Sequence, residues 1–454
     1  MISMRLAAAA TAIDARVIGA DALFTSVSTD TRSLTPGQLF FALRGPNFDA
    51  HDRLDDAAAA GAAGAVVERQ MPSTLPQLIV SDSRRALGVL ARDWRLRFEL
   101  PVLAVTGSAG KTTVKEMLAA IMRTRGPVLA TRGNLNNDIG LPLTLFHLDA
   151  SHQAAVLEMG ANHVGDIALL AALARPQIGV ITLCAPSHLE GFGSIEDVAR
   201  TKGELFAALG PDGTAILNNE DDQARLWREL AGARSIVTFG VGGDFSARDV
   251  RATTEGNRFI LCTPTGEITI TLQHRGLHNV RNALAAAAAA TAAGVSLVDI
   301  QRGLAGAGAV TGRLQFRAGV AGCRLIDDTY NANPASLAAA LDVLRTEREP
   351  RWLVFGDMRE LGSDTEQYHR AVGTQADAAG VAQMFTIGAL AEHAAERFTG
   401  AITHSGAHAG LVAALHKALA ASASSPPTIL LKGSRAMALD QVANALAAES
   451  VAQC

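Results

Sequence analysis

The chain has 454 residues, more than one hydrophobic core usually holds, so two to four domains are expected. Hydrophobic residues make up 48% of the chain and charged residues 19%, which is typical of a globular protein. The net charge is −4, and no large basic block is present, which argues against nucleic acid as a partner.

The cysteine pattern predicts a cytoplasmic protein. The four cysteines are far apart and form neither a metal-ligand spacing nor a disulfide framework. At the N-terminus, the apolar stretch Ala7–Ala10 is too short for a secretory signal. The longest apolar run, Ala283–Val298, is mostly alanine and predicts a buried helix, not a membrane span.

The first block of the chain, residues 1–99, mixes short strands with turns. Its densest polar cluster is Ser26–Asp52, which contains a Pro36-Gly37 turn and a strand-like run at Leu39–Leu43.

The second block, residues 100–311, begins with a glycine loop between a strand and a helix. The apolar run Val102–Val105 predicts a buried strand, and Lys111-Thr112-Thr113 opens an amphipathic helix. Backbone N–H groups in such a loop face the phosphates of a nucleotide, the lysine adds positive charge, and a threonine hydroxyl binds Mg²⁺. The loop is shorter than a Walker A motif, because Gly107 and Gly110 have two residues between them. The alternative is an ordinary strand–turn–helix.

Alternating strands and helices follow in this block and predict a mostly parallel sheet with helices on both faces. The predicted strands are Ala154–Glu158, Ile178–Cys184, Ala215–Leu217 and Ser235–Phe239. The segments Arg258–Cys262 and Glu267–Thr271, joined by a Pro-Thr-Gly turn, predict a hairpin.

The third block, residues 312–454, repeats the alternation and predicts a second, smaller α/β unit after a hinge at Gly306–Gly312. Its predicted strands are Arg324–Ile326, Trp352–Phe355, Met384–Ile387 and Thr428–Leu431. Pro334 marks a helix start, and Ser363–Glu366 reads as a capping box.

Two side chains stand where metal ligands are expected beside the phosphate loop. Glu158 ends one predicted strand, and His188 lies in the loop after the next. Because ligands bind beyond the carboxyl ends of parallel strands, both should lie on the side of Lys111. A carboxylate and an imidazole near phosphate suit a divalent cation. The alternatives are a helix-capping carboxylate and a satisfied loop histidine.

Further polar residues are ambiguous when they are taken singly. Lys202, in the predicted helix Ile195–Leu209, has the spacing of a solvated surface lysine. The cluster Gly133–Asp138 is either a turn or a contact for a polar ligand such as a sugar or peptide. Asn282 opens a helix, where asparagine is usually a cap. The acids Asp327 and Asp328 follow a strand and suit a ribose, a cation or a cap.

Eleven segments in order resemble the Mur ligase family, the ATP-dependent amide-forming enzymes of peptidoglycan precursor synthesis. They include TDTRSLTPGQLFFALRGPNFDAHD, TGSAGKTT, GNLNNDIGLPLTL, LEMGANHVGDI, PSHLEGFGS, TKGELF, HNVRNALAA, GRLQ, DDTYNANPASL, GDMRELG and LKGSRAMALDQV. The resemblance covers nearly the whole chain and accounts for the short phosphate loop. One departure is Ser108-Ala109, where the family usually has Thr-Asn before Gly-Lys. It should matter little if backbone amides make the contacts.

The resemblance implies a three-domain α/β architecture. Residues 1–99 would bind a UDP-sugar, residues 100–311 would form the central ATP-binding P-loop domain with a mostly parallel sheet, and residues 312–454 would form a Rossmann-like domain that closes over the site. Within the family the segments are most similar to the member that joins D-alanyl-D-alanine to UDP-N-acetylmuramoyl-tripeptide. The resemblance thus implies those two substrates, and we expect a monomer. Whether the third peptide residue is lysine or diaminopimelate stays open.

The resemblance also assigns roles to individual residues. Lys202 matches the family lysine that is carbamylated, which converts a cation into a carboxylate able to support a second Mg²⁺. The catalytic set would be Lys111, Glu158, His188 and Lys202, and the ligands of two Mg²⁺ ions would be Thr112, Glu158, His188 and Lys202. ATP would contact Gly107, Ser108, Ala109, Gly110, Lys111, Thr112, Thr113, Asn282 (adenine), Arg313 (phosphate) and Asp328 (ribose). The substrates would face Thr29, Asp30, Arg32, Asn136, Asn137, Tyr330, Asn331 and Asn333, with Lys432 and Ser434 as weaker candidates.

Three other functions fit parts of the pattern. A sister ligase would add a single amino acid, but DDTYNANPAS and the lack of an Asp-Asn-Pro-Arg segment favour the dipeptide. A P-loop switch or motor-like ATPase would bind ATP without a UDP-sugar, and it has no need of the polar cluster at Thr29–Asp52. A non-catalytic nucleotide-binding module has no need of the expected metal ligands.

Overall fold

The three largest sheets, of five or six strands each, follow one another along the chain, and each is flanked by helices. The computed structural model describes residues 1–187 and 189–448. None of the helices in these two ranges has the length and apolar character that crossing a membrane requires. The sheets confirm the predicted α/β class, whereas the exact division at residues 99 and 311 stays a prediction.

The N-terminal sheet has five strands in the order β2-β9-β8-β5-β4, with β2 antiparallel to its neighbour. The strands of this region are β1 (Met4–Arg5), β2 (Arg16–Ile18), β3 (Leu23–Phe24), β4 (Ser26–Ser28), β5 (Gln38–Phe41), β6 (Arg44–Gly45), β7 (Phe48–Asp49), β8 (Gly64–Val67) and β9 (Gln77–Ile79). The helices are α1 (Leu6–Ile13), α2 (Leu54–Ala59) and α3 (Ser83–Arg95). The run predicted at Leu39–Leu43 is confirmed as the buried strand β5.

The central sheet has six strands, all parallel, in the order β11-β12-β10-β13-β14-β15. Its strands are β10 (Val102–Thr106), β11 (Val128–Ala130), β12 (Ala154–Glu158), β13 (Ile178–Ile181), β14 (Thr214–Asn218) and β15 (Ser235–Phe239). Strands β12 and β13 lie on opposite sides of β10, so the loops that follow these three strands lead away in different directions and leave a crevice between them. Such a switch point is where open parallel sheets bind ligands.

A second, antiparallel sheet packs beside the central one. It is formed by β16 (Ser246–Ala252), β17 (Asn257–Thr263) and β18 (Gly266–Leu272). The predicted hairpin corresponds to β17 and β18. The sequence did not reveal β16, because its residues are largely exposed and polar and lack an apolar alternation.

Helices cover both faces of the central sheet. They are α4 (Lys111–Met122), α5 (Gly140–Leu145), α6 (Asp166–Ala174), α7 (Leu189–Phe192), α8 (Ile195–Ala207), α9 (Ala224–Ala231), α10 (Leu277–Ala292) and α11 (Leu297–Ala305). The alanines of α10 are buried against α4, where small side chains let the two helices approach closely. The predicted helix to Val298 is too long, because Gly294 adopts a φ of 79° and ends it.

The C-terminal sheet has six strands in the order β19-β20-β24-β21-β22-β23, of which β19 alone is antiparallel. The strands are β19 (Gln315–Ala318), β20 (Arg324–Asp328), β21 (Arg351–Gly356), β22 (Val381–Ile387), β23 (Ala401–Ser405) and β24 (Thr428–Lys432). The helices are α12 (Pro334–Arg345), α13 (Thr365–Ala378), α14 (His408–Ala421) and α15 (Asp440–Leu446). This is the predicted Rossmann-like arrangement with one antiparallel edge strand.

The two helix-start predictions in this region had different outcomes. Pro334 is the first residue of α12, and the Asn333 side chain caps the helix by accepting from Ser336 N at 2.8 Å. The capping box predicted at Ser363–Glu366 is wrong. A 3₁₀ turn occupies Gly362–Asp364, α13 begins at Thr365, and the Asp364 side chain makes no capping bond.

Candidate functional site

A cavity of about 790 Å³ lies at the switch point of the central sheet. The loops after β10, β12 and β13 form one wall, and α10 closes one side. The start of α12 and the end of β20 form the opposite wall, so the C-terminal sheet faces the phosphate loop across the cavity. The ligand-facing ends of two parallel sheets therefore meet in one space.

The phosphate loop leaves β10 in a conformation that requires glycine. Gly107 has a φ of 145°, and a Cβ there would lie 1.9 Å from Thr182 Oγ1. Ser108 N donates to Leu183 O at 2.9 Å, which ties the loop to the segment after β13. Gly110, with a φ of 81°, is the N-cap of α4, so the helix N-terminus opens into the cavity. Lys111 Nζ donates to Gly107 O at 2.7 Å.

Replacing Gly107 by alanine is expected to weaken ATP binding by at least tenfold. The added methyl group would overlap the Thr182 hydroxyl, so the loop would have to move away from its phosphate-binding shape. An equilibrium titration with ATP gives the dissociation constant of each variant and so measures the loss of affinity. Gly210→Ala is the matched control, because a Cβ at Gly210 meets nothing within 4 Å. Equal affinity of Gly107→Ala and the wild type would contradict the expectation.

Glu158, at the end of β12, accepts hydrogen bonds from two side chains next to the phosphate loop. Its Oε2 accepts from Thr112 Oγ1 at 2.8 Å, and its Oε1 accepts from Asn136 Nδ2 at 2.8 Å. The carboxylate is 2% exposed, and its backbone N–H donates to Thr131 Oγ1. It caps no helix, which removes the alternative reading of this residue. A hydroxyl and a carboxylate in contact are the hard oxygen ligands that Mg²⁺ prefers.

Lys202, in α8, is buried and not at the surface. It is 3% exposed, and its Nζ lies 5.9 Å from the centre of the Phe192 ring. Burial, together with the positive charge of Lys111, lowers the pKa of Lys202 to about 7. No carboxylate of the described residues lies within ion-pair distance of this amine. An unpaired buried amine favours its neutral form.

His188, the remaining predicted metal ligand, lies outside the described residues. Its neighbour Leu189 begins α7, and Leu189 N donates to Glu360 O at 2.8 Å, so this segment contacts the C-terminal unit. Among residues 1–187 and 189–448, no group of three or more His, Cys, Asp or Glu side chains is arranged to hold a metal ion. The predicted metal roles therefore stay predictions.

The start of α10 brings two asparagines to the phosphate loop. Asn282 Nδ2 donates to Asn279 Oδ1 at 2.9 Å, and Asn279 Nδ2 donates to Arg275 O at 2.8 Å. A Cβ at Gly110 would lie 2.6 Å from Asn282 Oδ1, which shows how closely this amide approaches the loop. Asn282 is in the second turn of the helix, so it is not an N-cap.

Arg313 and Asp328 reach the cavity from the hinge and from β20. The Arg313 guanidinium stacks on the Tyr330 ring at 4.3 Å, and its buried Nε has no hydrogen-bond partner in the described part of the chain. Asp328 Oδ2 accepts from Lys432 Nζ at 2.5 Å, and Oδ1 accepts from Leu314 N at 3.2 Å. Both predicted nucleotide contacts thus line the same space as Lys111.

The predicted substrate residues of the C-terminal unit also lie here. Tyr330, Asn331 and Asn333 line the cavity, and Asn333 Nδ2 donates to Ser108 O at 3.3 Å. This bond links the C-terminal unit directly to the phosphate loop. Lys432 donates to Asn331 O at 3.0 Å, whereas the Ser434 hydroxyl accepts from Arg359 N and does not line the cavity.

The predicted contacts of the first block do not join this cavity. Thr29, Asp30 and Arg32 follow β4 and are not among its lining residues. Asp30 Oδ1 accepts from the Arg32 backbone N–H at 3.0 Å, and a hydrogen bond from the Arg32 guanidinium lowers the pKa of Asp30 to about 2. Asn136 and Asn137 do line the cavity, and Asn137 Oδ1 also accepts from Gly140 N at the start of α5.

Sequence reasoning did not assign several charged or titratable residues of the cavity to the site, and His278 and Arg84 are two of them. His278 is half-buried at the start of α10, and this burial lowers its pKa to about 4. Arg84, from the first turn of α3, is the one lining residue contributed by residues 1–99 in the described parts of the chain. In the sequence, Arg84 follows a strand and the helix-capping residue Asp82, which indicates only that it lies at the start of a helix. That pattern does not show that α3 faces the central unit.

The site has a phosphate loop at a switch point, and a second α/β unit faces it with an arginine and an aspartate. This arrangement defines a class of enzyme that uses nucleoside triphosphates. Comparison with known proteins agrees. Residues 105–290 match the Mur ligase middle domain, and residues 312–435 match the Mur ligase glutamate ligase domain. The chain belongs to the Mur ligase family.

Individual relatives cover almost the whole chain. The UDP-N-acetylmuramoyl-tripeptide–D-alanyl-D-alanine ligase of Escherichia coli K12 is 43% identical over 98% of this chain and 99% of its own. A crystal structure of MurF from Acinetobacter baumannii is 35% identical, with a TM-score of 0.93 over 98% of each chain. The MurF ligase of Thermotoga maritima in complex with ADP is 28% identical, with a TM-score of 0.81 over 92% of this chain and 96% of its own.

Proposed function

We propose that this ligase joins D-alanyl-D-alanine to UDP-N-acetylmuramoyl-tripeptide and uses ATP to activate the tripeptide. One observation carries the proposal: Lys111, Glu158 and Lys202 share a single cavity with Arg313 and Asp328 of the opposite unit. The relatives described above support the choice of substrates, since the Escherichia coli protein bears the name of this ligase and the Acinetobacter and Thermotoga proteins are both named MurF. The Thermotoga protein was crystallised with ADP.

The reaction has two steps. The terminal carboxylate of the tripeptide attacks the γ-phosphate of ATP, giving an acyl phosphate and ADP. The free amine of the dipeptide then attacks the acyl carbon, and phosphate leaves. A carboxylate is a poor acylating agent in water, so conversion to an acyl phosphate supplies a good leaving group. The protein positions the reactants and neutralises their charge.

The described residues divide these tasks. Lys111 and Arg313 both line the cavity, and the charge of Arg313 contributes to lowering the pKa of Lys111, after burial. Both would neutralise charge on the phosphates. Asn282 would contact adenine, and Asp328 would contact ribose. Asn333, bonded to Ser108 O, holds the C-terminal unit against the loop and helps to exclude water from the acyl phosphate.

Lys202 suits the carbamate that the family resemblance implies. A neutral amine attacks CO₂, and burial favours the neutral form of this lysine. Thr112, Glu158, His188 and the carbamylated Lys202 would then hold two Mg²⁺ ions, which supply positive charge to the phosphates and the attacking carboxylate. The contact between Thr112 and Glu158 fits such ligands.

The substrate residues extend away from this centre. Asn136 and Asn137, together with Tyr330 and Asn331, are placed to contact the peptide ends. Thr29, Asp30 and Arg32 lie on the N-terminal unit, outside the cavity, where we propose that they bind the UDP-sugar. The cytoplasmic location and the monomeric state stay predictions.

The test is release of phosphate from ATP with each substrate alone and with both together. We expect steady release only when UDP-N-acetylmuramoyl-tripeptide and D-alanyl-D-alanine are both present, because phosphate leaves when the amine attacks the acyl phosphate. Replacing the dipeptide by single amino acids tests the sister-ligase alternative. If neither substrate stimulates release, the proposed function is wrong.

A further inference from the structure

An arginine of the central unit, Arg275, pairs with a carboxylate of the C-terminal unit. Its Nη1 donates to Oε1 of Glu347, which follows α12, and its guanidinium carbon lies 4.0 Å from the centre of the Phe316 ring in β19. Glu347 Oε2 also accepts from Arg324 Nη1 at 2.7 Å, within the C-terminal unit. The side chains of Arg275 and Glu347 are 21% and 5% exposed. The two units are therefore joined by a partly buried ion pair, and we call this arrangement docked.

The central unit holds Arg275 in place independently of its partner. Arg275 Nη2 donates to Thr254 O, in the turn between β16 and β17. The Nδ2 of Asn257, a residue that is 2% exposed, donates to His274 O at 2.6 Å and to Gly276 O at 3.2 Å. These bonds fix the backbone on both sides of Arg275. A side chain held in this way loses little conformational freedom when it pairs, which favours the contact between the units.

A chain of hydrogen bonds links Arg275 to the phosphate loop. Asn279 Nδ2 donates to Arg275 O at 2.8 Å, and Asn282 Nδ2 donates to Asn279 Oδ1 at 2.9 Å. Asn282 in turn approaches Gly110 so closely that a Cβ at this glycine would lie 2.6 Å from Asn282 Oδ1. The nucleotide site and the residue that pairs with the C-terminal unit are therefore connected along the first two turns of α10.

The ion pair can form and break without leaving a carboxylate alone. Arg324 belongs to the same unit as Glu347, so separation of the units leaves Glu347 paired with Arg324 and exposes Arg275 to water. A buried carboxylate that lost every cation beside it would instead be strongly destabilised. The contact of Arg275 with Glu347 therefore favours the docked arrangement and still permits the units to separate.

We propose that Arg275 and Glu347 form a latch that couples ATP binding to docking of the C-terminal unit. In the proposed function, on which this inference rests, ATP contacts Lys111 on one wall and Arg313 and Asp328 on the other, so it binds the docked arrangement more tightly. Such coupling is reciprocal, so a contact that stabilises docking also raises the affinity for ATP. Arg275 and Glu347 are positioning residues, because neither is among the described residues that line the cavity.

The first measurement is an equilibrium titration of the full chain with ATP. We expect Arg275→Gln and Glu347→Gln each to raise the Kd for ATP by about tenfold, within the usual range of such couplings. The double variant should be no weaker than either single variant, because both changes remove the same contact. Arg248→Gln is the matched control and should keep the wild-type Kd, since Arg248 pairs with Glu267 inside the antiparallel sheet at 2.6 Å.

Arg324→Gln separates the latch from a packing role. This variant leaves Glu347 with Arg275 as its remaining cation in the described part of the chain, so separating the units would strip the carboxylate. We expect a Kd for ATP equal to or lower than that of the wild type. A tenfold increase, as in Arg275→Gln, would mean that packing around Glu347 matters and not the latch. Thermal melting shows whether each variant folds, and Glu347→Gln gives the same test if Arg275→Gln does not.

Steady-state phosphate release gives a second readout. With both peptide substrates present, Arg275→Gln should raise KM for ATP about tenfold and keep kcat near the wild-type value, because saturating ATP restores docking. A loss of kcat without a change of KM would overturn the inference, as would an unchanged Kd in Arg275→Gln and Glu347→Gln. The titration needs neither peptide substrate, so a wild type that binds ATP but releases no phosphate would refute the proposed function alone.

Discussion

Replacing Lys202 by alanine is expected to lower kcat for phosphate release by on the order of a thousandfold, the loss typical of removing one preorganised charged group. The reason is the position of Lys202, which is buried beside Lys111 and has no carboxylate partner among the described residues. If it carries a carbamate, alanine removes an anion from the centre of the site. Phosphate release at saturating substrates measures the effect.

Chemical rescue separates this role from a packing role. A small carboxylic acid such as acetate should restore part of the activity of Lys202→Ala, because it can occupy the place of the carbamate. Acetate should leave the wild type unchanged. Lys417→Ala, at an exposed lysine of α14, is the matched control and should behave as the wild type. Full activity of Lys202→Ala would refute the carbamate role.

Glu158→Gln is expected to lower kcat by about a hundredfold to a thousandfold and to raise the Mg²⁺ concentration needed for half-maximal activity. The side chain keeps its shape but loses its charge. Its new NH₂ group also faces one of two donors, Thr112 Oγ1 or Asn136 Nδ2, each of which donates to one oxygen of the native carboxylate. Phosphate release over a range of Mg²⁺ concentrations measures both changes.

Two further variants show whether the loss in Glu158→Gln comes from the missing charge at this position. Glu158→Asp keeps the charge on a shorter side chain and should retain more activity than Glu158→Gln. Glu229→Gln changes a surface carboxylate of α9 that pairs with Arg225, and it should leave activity unchanged. Thermal melting shows whether each variant stays folded. An unchanged Mg²⁺ dependence in Glu158→Gln would contradict a metal-binding role.

The sequence predicted the parts of the site that lie at strand ends. Val102–Val105 is buried, and the residues after it have the glycines and lysine that a phosphate loop needs. Glu158 ends the strand expected of it. Because all six central strands are parallel, their carboxyl ends share one edge, so strand position alone was enough to place Glu158 near Lys111.

Residues that depend on packing between units were not predicted. Arg84 reaches the cavity because α3 packs against the central unit, and no local pattern encodes that contact. The burial of Lys202 is another example, because its helical spacing resembles that of a surface lysine. The wrong capping box at Ser363–Glu366 has a local cause: Gly362, with a φ of 69°, begins a 3₁₀ turn that delays the helix to Thr365.

The sequence by itself determined the α/β class, the phosphate loop and the family, because these depend on residue order and on short-range periodicity. The tertiary structure decided which side chains lie together: Asn333 against Ser108, Arg313 on Tyr330, and Arg84 at the cavity that holds Lys111. It also kept Thr29, Asp30 and Arg32 outside the cavity. These positions depend on how the three large sheets pack against one another. Such packing is determined by complementary shapes and buried surfaces of segments far apart in the chain, so no single segment encodes it.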